Sequence, residues 1–368
     1  MPERNKTMWM IRRKHGKRIL AMLLVSLFLF STYGCGPFAE NTKIVLSTGL
    51  DSNQIFRLDG EICTEKEFMV YLTNLQNRYE RVYGPEVWNM EVQGVSMKQE
   101  VIDSVKKELE QIKVMNLMSE NYKVVLTEEM KTALKDAAKT YIQSLTEEEK
   151  KALNVDENDI YQMYVEYATS LLVYDAIIAS VNPEISDDEA RIITVEQIGV
   201  KLAELQADGT LKPVSDDARK QALSRIKEAK RRIDQGEEFS TLVGEYNEMG
   251  ESILTFGYGE KEKAYEEAAF NLASDQVSDI VETPEAYYLI KCDSTFNQEE
   301  TDKNKSAILE ERKNAAFQEK YQEYIRKVAE EVDEDKYAQI DFLEVDTTTE
   351  SFFSTFDELA GKTIKTNY

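Results

Sequence analysis

Apolar positions divide the chain into a helical stretch, a mixed stretch and a last long helix. Between residues 64 and 181 they recur at steps of three and four, which puts them on one face of a helix. Phe68, Tyr71, Leu72, Leu75 and Tyr79 mark a first helix that stops near Gly84-Pro85. Thr64 is its N-cap, and Glu67 three residues on completes the pattern of a capping box. Val101, Val105, Leu109, Ile112 and Met115 mark a second helix, from Ser96 to about Tyr122. A third runs from Thr127 to about Leu145, a short fourth opens at Thr146, and a fifth spans 156–181. Ahead of them, Ile55–Cys63 predicts a hairpin turning at Asp59-Gly60.

Past Asn182-Pro183 the texture changes. Ser186–Ala190 predicts a short helical link, and the β-branched run Ile192–Val200 a strand. Ser215 caps a helix to Gln235 that Gly236 closes. Phe239–Tyr246 predicts a further short helix, Ile253–Tyr258 a strand and Lys263–Leu272 a helix. Val277–Glu282 and Ala286–Asp293 predict two strands, giving the order β-α-α-β-α-β-β. Residues 302–333 predict a long helix with Phe317, Tyr321, Tyr324, Val328 and Val332 on one stripe. Such a stripe must pack on something, and the first helical lobe is its natural partner. Residues 338–345 predict an added strand, and 347–368 a tail without defined order.

Charge changes this picture at the N-terminus. The 368 residues carry 69 Asp+Glu against 45 Lys+Arg, a net charge of −24. Residues 1–34 are basic at +6, which leaves −30 on 35–368. So acidic a body is a poor partner for nucleic acid, whose phosphates need Lys and Arg. The one histidine, His15, lies in the basic leader. A chain beginning at Cys35 has no His triad, His metal site or His proton shuttle. The apolar run Ile19–Phe30 is twelve residues long, short of the roughly 20 a membrane span needs. It reads as a secretory signal. Gly34 before Cys35 resembles a bacterial lipobox, with Thr32 where Leu is usual. That implies cleavage before Cys35 and a lipid on its thiol. The other reading is an uncleaved anchor extending through Phe38.

Cys63 and Cys292 remain, either as one bridge or as two buried thiols. There is no CxxC pair and no metal-ligand cluster, and no cofactor is expected.

The stretch Gln235–Ser240, Tyr265-Glu266-Glu267-Ala268-Ala269-Phe270, Val277–Val281 and Tyr287–Lys291 resembles a parvulin-type (PpiC) peptidyl-prolyl isomerase domain. With its helical flanks, the chain over about 55–335 resembles the PrsA foldase lipoproteins and the SurA-like chaperones. The resemblance implies an α+β fold. A helical chaperone lobe built from N- and C-terminal segments carries a parvulin-like domain with a four-stranded antiparallel sheet and flanking helices. The expected divisions are a leader at 1–34, a tether at 35–54, the lobe at 55–185 and the parvulin-like domain at 190–296. A C-terminal helix at 300–345 returns to the lobe, and 346–368 is the tail.

In that family two histidines and a Cys or Asp form the catalytic floor. The matching positions here hold Gln197, Tyr288 and Ser252. The proline slot aligns with Phe256, Lys261, Tyr265 and Phe270. An amide, a phenol and a hydroxyl can hydrogen-bond, but they do not change charge near neutral pH as imidazoles do. Isomerase activity is therefore expected to be weak or lost.

Residues 51–190 hold seven of the twelve methionines and many tyrosines. One reading is a cradle for unfolded chains lined by Tyr71, Tyr79, Trp88, Met115 and Met118. The other is that these side chains are core.

The expectation is a lipid-anchored foldase on the extracytoplasmic face of a Gram-positive-like cell membrane, binding unfolded exported polypeptides. An active isomerase and a non-catalytic scaffold lipoprotein are the alternatives, and a homodimer is left open.

Overall fold

A computed structural model describes the backbone of residues 43–44 and, in full, most of 49–206 and 210–365. The leader, Cys35 and the tether up to residue 48, apart from 43–44, lie outside the described residues. The described residues form two units, one from those up to Ser180 with Ala316 onward, the other from those between Val181 and Ala315. The fold is α+β.

The first unit begins with β1 (Lys43–Ile44), β2 (Gln54–Leu58) and β3 (Glu61–Thr64). Asp59 and Gly60 join β2 to β3 with φ of 45° and 105°. Positive φ at both central residues is what a two-residue hairpin requires and what Asp-Gly favours. Helix α1 (Glu65–Tyr83) follows, with Thr64 Oγ1 accepting from Glu67 N at 3.3 Å. The expected reciprocal half of the capping box is not made. Glu67 turns inward and its Oε2 meets Lys113 Nζ at 2.9 Å. A buried ammonium attracts the carboxylate more strongly than one backbone N–H.

A 3₁₀ turn (Pro85–Asn89) and the small ribbon of β4 (Glu91–Val92) and β5 (Val95–Ser96) lead into α2 (Met97–Met118). Next come α3 (Glu128–Ser144), α4 (Glu147–Leu153) and α5 (Glu157–Ile178). Thr146 with Glu149, and Asp156 with Asp159, form complete capping boxes at α4 and α5. One apolar core unites these helices, with Phe68, Leu109, Leu134 and Tyr164 wholly buried.

The second unit contains β6 (Ile193–Lys201), the ribbon β7 (Ala203–Leu205) and β8 (Leu211–Pro213), then α6 (Asp216–Asp234) and α7 (Phe239–Tyr246). It continues with β9 (Ile253–Phe256), α8 (Lys263–Phe270), β10 (Val281–Glu282) and β11 (Ala286–Ser294). The sheet is antiparallel in the order β10-β11-β6-β9. Its even-numbered β6 side chains, Ile198 and Val200, pack with Ile226 and Leu242 under α6 and α7. Its odd-numbered ones, Ile193 and Val195, pack with Phe256, Tyr265 and Ile290 under α8. β6 is thus buried on both faces along its second half, Gln197–Val200, where Gln197 is the one polar side chain.

Four expectations are corrected. Ser186–Ala190 is a turn rather than a helix, with Ser186 Oγ accepting from Glu189 N at 3.1 Å. The strand expected at 277–282 is paired as β10 only at its end, with an isolated bridge from Val277 to Lys291. The last long helix, α9 (Gln298–Ile325), stops early and becomes β12 (Ala329–Val332), which pairs antiparallel with β2 and parallel with β1. The buried partner for Val328 and Glu330 is this strand's neighbourhood, where Glu330 meets Lys106 at 3.2 Å. Residues 338–345 form no strand.

The tail is also ordered. After α10 (Glu334–Tyr337), it forms α11 (Phe352–Phe356), a π turn (Asp357–Gly361) and α12 (Lys362–Lys365). Phe352, Phe356, Ala360 and Ile364 are fully buried in the first unit's core.

Candidate functional site

The sheet face under α8 brings most of the expected site positions together. β6 and β11 run antiparallel with Gln197 opposite Ile290 and Gly199 opposite Tyr288. Gln197 is buried, and its Nε2 donates to the Glu251 carbonyl at 2.7 Å. Its own N–H donates to the Ser252 carbonyl at 2.7 Å. Ser252 thus meets Gln197 through its backbone.

Aromatic rings fill the space beside them. The Tyr288 ring stands edge-on to Tyr265 at 4.9 Å between centroids, and Tyr265 lies 5.9 Å from Phe256. Glu262 caps α8 by accepting from Ala264 N and Tyr265 N, which fixes where Tyr265 leaves the helix. Phe256 is 1% exposed, Tyr265 4% and Tyr288 6%. Side chains this covered present little surface to a proline ring. Lys261 is exposed and holds its ammonium 5.5 Å from the Phe256 ring centre, a cation–π contact over the expected slot. Phe270 stacks on Tyr258 and lies under the Arg191 guanidinium at 4.9 Å.

The electrostatics follow from burial. Burial pushes the Tyr265 and Tyr288 phenols well above their ordinary value, and Glu285 adds to the effect at Tyr288. Both are neutral at physiological pH. Tyr265 Oη is buried without a hydrogen-bond partner. Gln197, Tyr265 and Tyr288 therefore form an uncharged floor with little exposed surface.

Sequence reasoning missed Arg191, Met249 and Tyr258. Tyr258 had a signal, since it follows Phe256-Gly257 directly. Arg191 and Met249 had none, because nothing in their neighbours marks them as facing this sheet.

The first unit gives a different result. Tyr71, Met115 and Met118 are 1%, 4% and 1% exposed. The cradle expectation is corrected for these three, whose stripes face the core. Tyr79 and Trp88 are partly buried and stacked at 5.9 Å. Cys63 and Cys292 are both free, buried thiols, so the bridge does not form. Among the described residues no cluster of His, Cys, Asp or Glu is arranged to hold a metal, and no helix is long and apolar enough to cross a membrane.

The rotamase family, described as the PPIC-type PPIASE domain, matches residues 205–294. The second unit carries a PPIC-type rotamase domain. The match begins after β6, so it leaves out the strand that holds Gln197. The chain is also similar to the foldase protein PrsA of Clostridium acetobutylicum, at 27% identity over 304 residues, or 76% of this chain and 84% of that one. It is 37% identical to the foldase protein PrsA of Geobacillus kaustophilus over 94 residues, 24% of this chain and 31% of that relative's length. A crystal structure of the peptidylprolyl isomerase PrsA from Bacillus cereus aligns at 20% identity with a TM-score of 0.34, covering 73% of this chain and 97% of that one. The matched residues include β9, α8, β10 and β11, with Tyr288 on β11, while Gln197 lies before them on β6.

Proposed function

We propose that the chain is a membrane-tethered extracytoplasmic foldase that holds unfolded exported polypeptides, anchored by a lipid on Cys35. Its rotamase domain serves as a contact surface with weak isomerase activity. The observation that carries the last point is the packing of Tyr288 against Tyr265, with Phe256 sealed beneath Lys261. Twisting a prolyl amide crosses a barrier of about 18–20 kcal/mol. Lowering it calls for an open apolar slot and polar groups aimed into it, and here the rings occupy that space. The match over residues 205–294 supports a second reading, an active parvulin-type isomerase.

Two assays on the full chain separate the readings. Suppression of aggregation of a reduced, unfolded test protein, with proline-peptide turnover near the uncatalysed rate, supports the first. Family-like turnover supports the second, and loss of both activities overturns the foldase reading.

A further inference from the structure

The C-terminal segment is held in the first unit as a bound peptide is held. Its main chain is read by side chains of the lobe. Asn77 Nδ2 donates to the Thr349 carbonyl at 2.8 Å, and Phe352 N donates to Asn74 Oδ1 at 3.0 Å. Tyr164 Oη donates to the Phe352 carbonyl at 2.7 Å. Glu149 Oε1 accepts from Thr348 N and Thr349 N at 2.6 and 3.0 Å. Side-chain bonds to main-chain groups are indifferent to the sequence they hold. Selectivity comes from the rings: Phe352 sits 4.6 Å from Tyr164 and 5.2 Å from Tyr71, and Phe356 sits 4.9 Å from Tyr167.

Two further observations indicate an exchangeable occupant. The Tyr71 ring packs on Phe352 and Phe353, and its buried Oη has no hydrogen-bond partner, so this wall of the groove carries a donor that the present packing leaves unused. The segment 346–365 is also acidic, with Asp346, Glu350, Asp357 and Glu358 against Lys362 and Lys365, in a chain of charge −24. A less acidic segment would meet less repulsion. Residues 338–351 connect it with no helix or strand, so its departure breaks no ladder.

We propose that the groove between α1, α3 and α5 is a peptide-binding site whose tethered occupant is residues 346–364. Its exchange partner is an unfolded segment with two aromatic residues four apart and little negative charge. Only the use of this site for clients rests on the foldase reading.

The test uses the full chain with S144C/S351C, since Ser144 Oγ and Ser351 Oγ lie 3.4 Å apart. A fluorescent synthetic peptide of residues 346–364 is titrated into the oxidised and the reduced protein. Saturable binding to the reduced chain, at least tenfold weaker after oxidation, is expected. Equal binding in both, or none to the reduced chain, overturns the proposal. Hydrogen exchange in the unmodified full chain provides a second measurement. Saturating peptide is expected to speed exchange at Thr348, Thr349 and Phe352 at least tenfold, and unchanged protection overturns the proposal. If the oxidised chain still suppresses aggregation fully, clients bind elsewhere and the foldase reading stands without this site.

Discussion

Tyr288 lies directly across from Gly199 on paired strands, and a Cβ on Gly199 would come within 2.8 Å of the Tyr288 ring. Met249 crowds the same point from the other side. The large Tyr288 ring is thus accommodated by the absence of a side chain opposite. Gly199→Ala forces Tyr288 or Met249 out of place. The expected cost is about 1–3 kcal/mol of stability in the second unit, read as an earlier urea transition there. In a Gly199→Ala/Tyr288→His chain the smaller ring restores only part of it, because Met249 is the nearer neighbour. An unchanged transition in Gly199→Ala would show that the packing is looser than described.

Lys113 is 1% exposed and bridges Glu67 at 2.9 Å and also Glu166. Lys113→Met leaves the buried Glu67 carboxylate without its cation, and the expected loss is about 3–5 kcal/mol in thermal or denaturant unfolding. Lys113→Met/Glu67→Leu removes both charges and is expected to recover most of that loss. If the double variant is no better than the single one, the pair is not the reason for the cost.

Glu108 on α2 provides a pH dependence. Burial alone raises its carboxyl from 4.5 to about 7. The folded state therefore holds this proton more tightly than the unfolded state. The stability it contributes is full below about pH 4.5, falls as pH rises toward 7, and is level above that. The expected decline is about 3 kcal/mol. Glu110, also raised by burial, acts with the same sign. Glu108→Gln should flatten the first unit's stability between pH 5 and 7 by its own share, measured by denaturant titration at each pH. A profile as steep as that of the unaltered chain contradicts the assignment.

Most of the fold was legible because its elements announce themselves locally. Thr64, Ser96, Thr127, Thr146 and Ser215 each cap the helix expected after them, and Asp59-Gly60 makes the turn its type favours. What stayed hidden depends on contacts far apart in sequence. β12 continues the apolar stripe of α9, so only its pairing with β2 marks it as a strand. The tail has two short helical turns, and its order comes from Asn74, Asn77, Glu149 and Tyr164, nearly 200 or more residues away. For the site, the alignment named Gln197, Tyr265 and Tyr288, which the fold does bring together. Burial of Tyr71 and Met118 could not be read from helical spacing, because a core stripe and a binding stripe have the same period.

The anchor has its own test. With Cys35→Ser, a chain expressed in a Gram-positive host should lose lipid labelling and leave the membrane fraction for the medium. Retention at the membrane without lipid would favour an uncleaved apolar anchor.

On the proposed function, the rotamase domain has exchanged catalysis for contact. Its most direct test is proline-peptide isomerisation by the full chain, beside Gln197→His/Tyr288→His. The unaltered chain is expected to show a kcat/KM below about 10⁴ M⁻¹ s⁻¹, the lower end of ordinary enzymes, and the double variant a clear rise. Turnover well above that value in the unaltered chain, falling in the double variant, would contradict it.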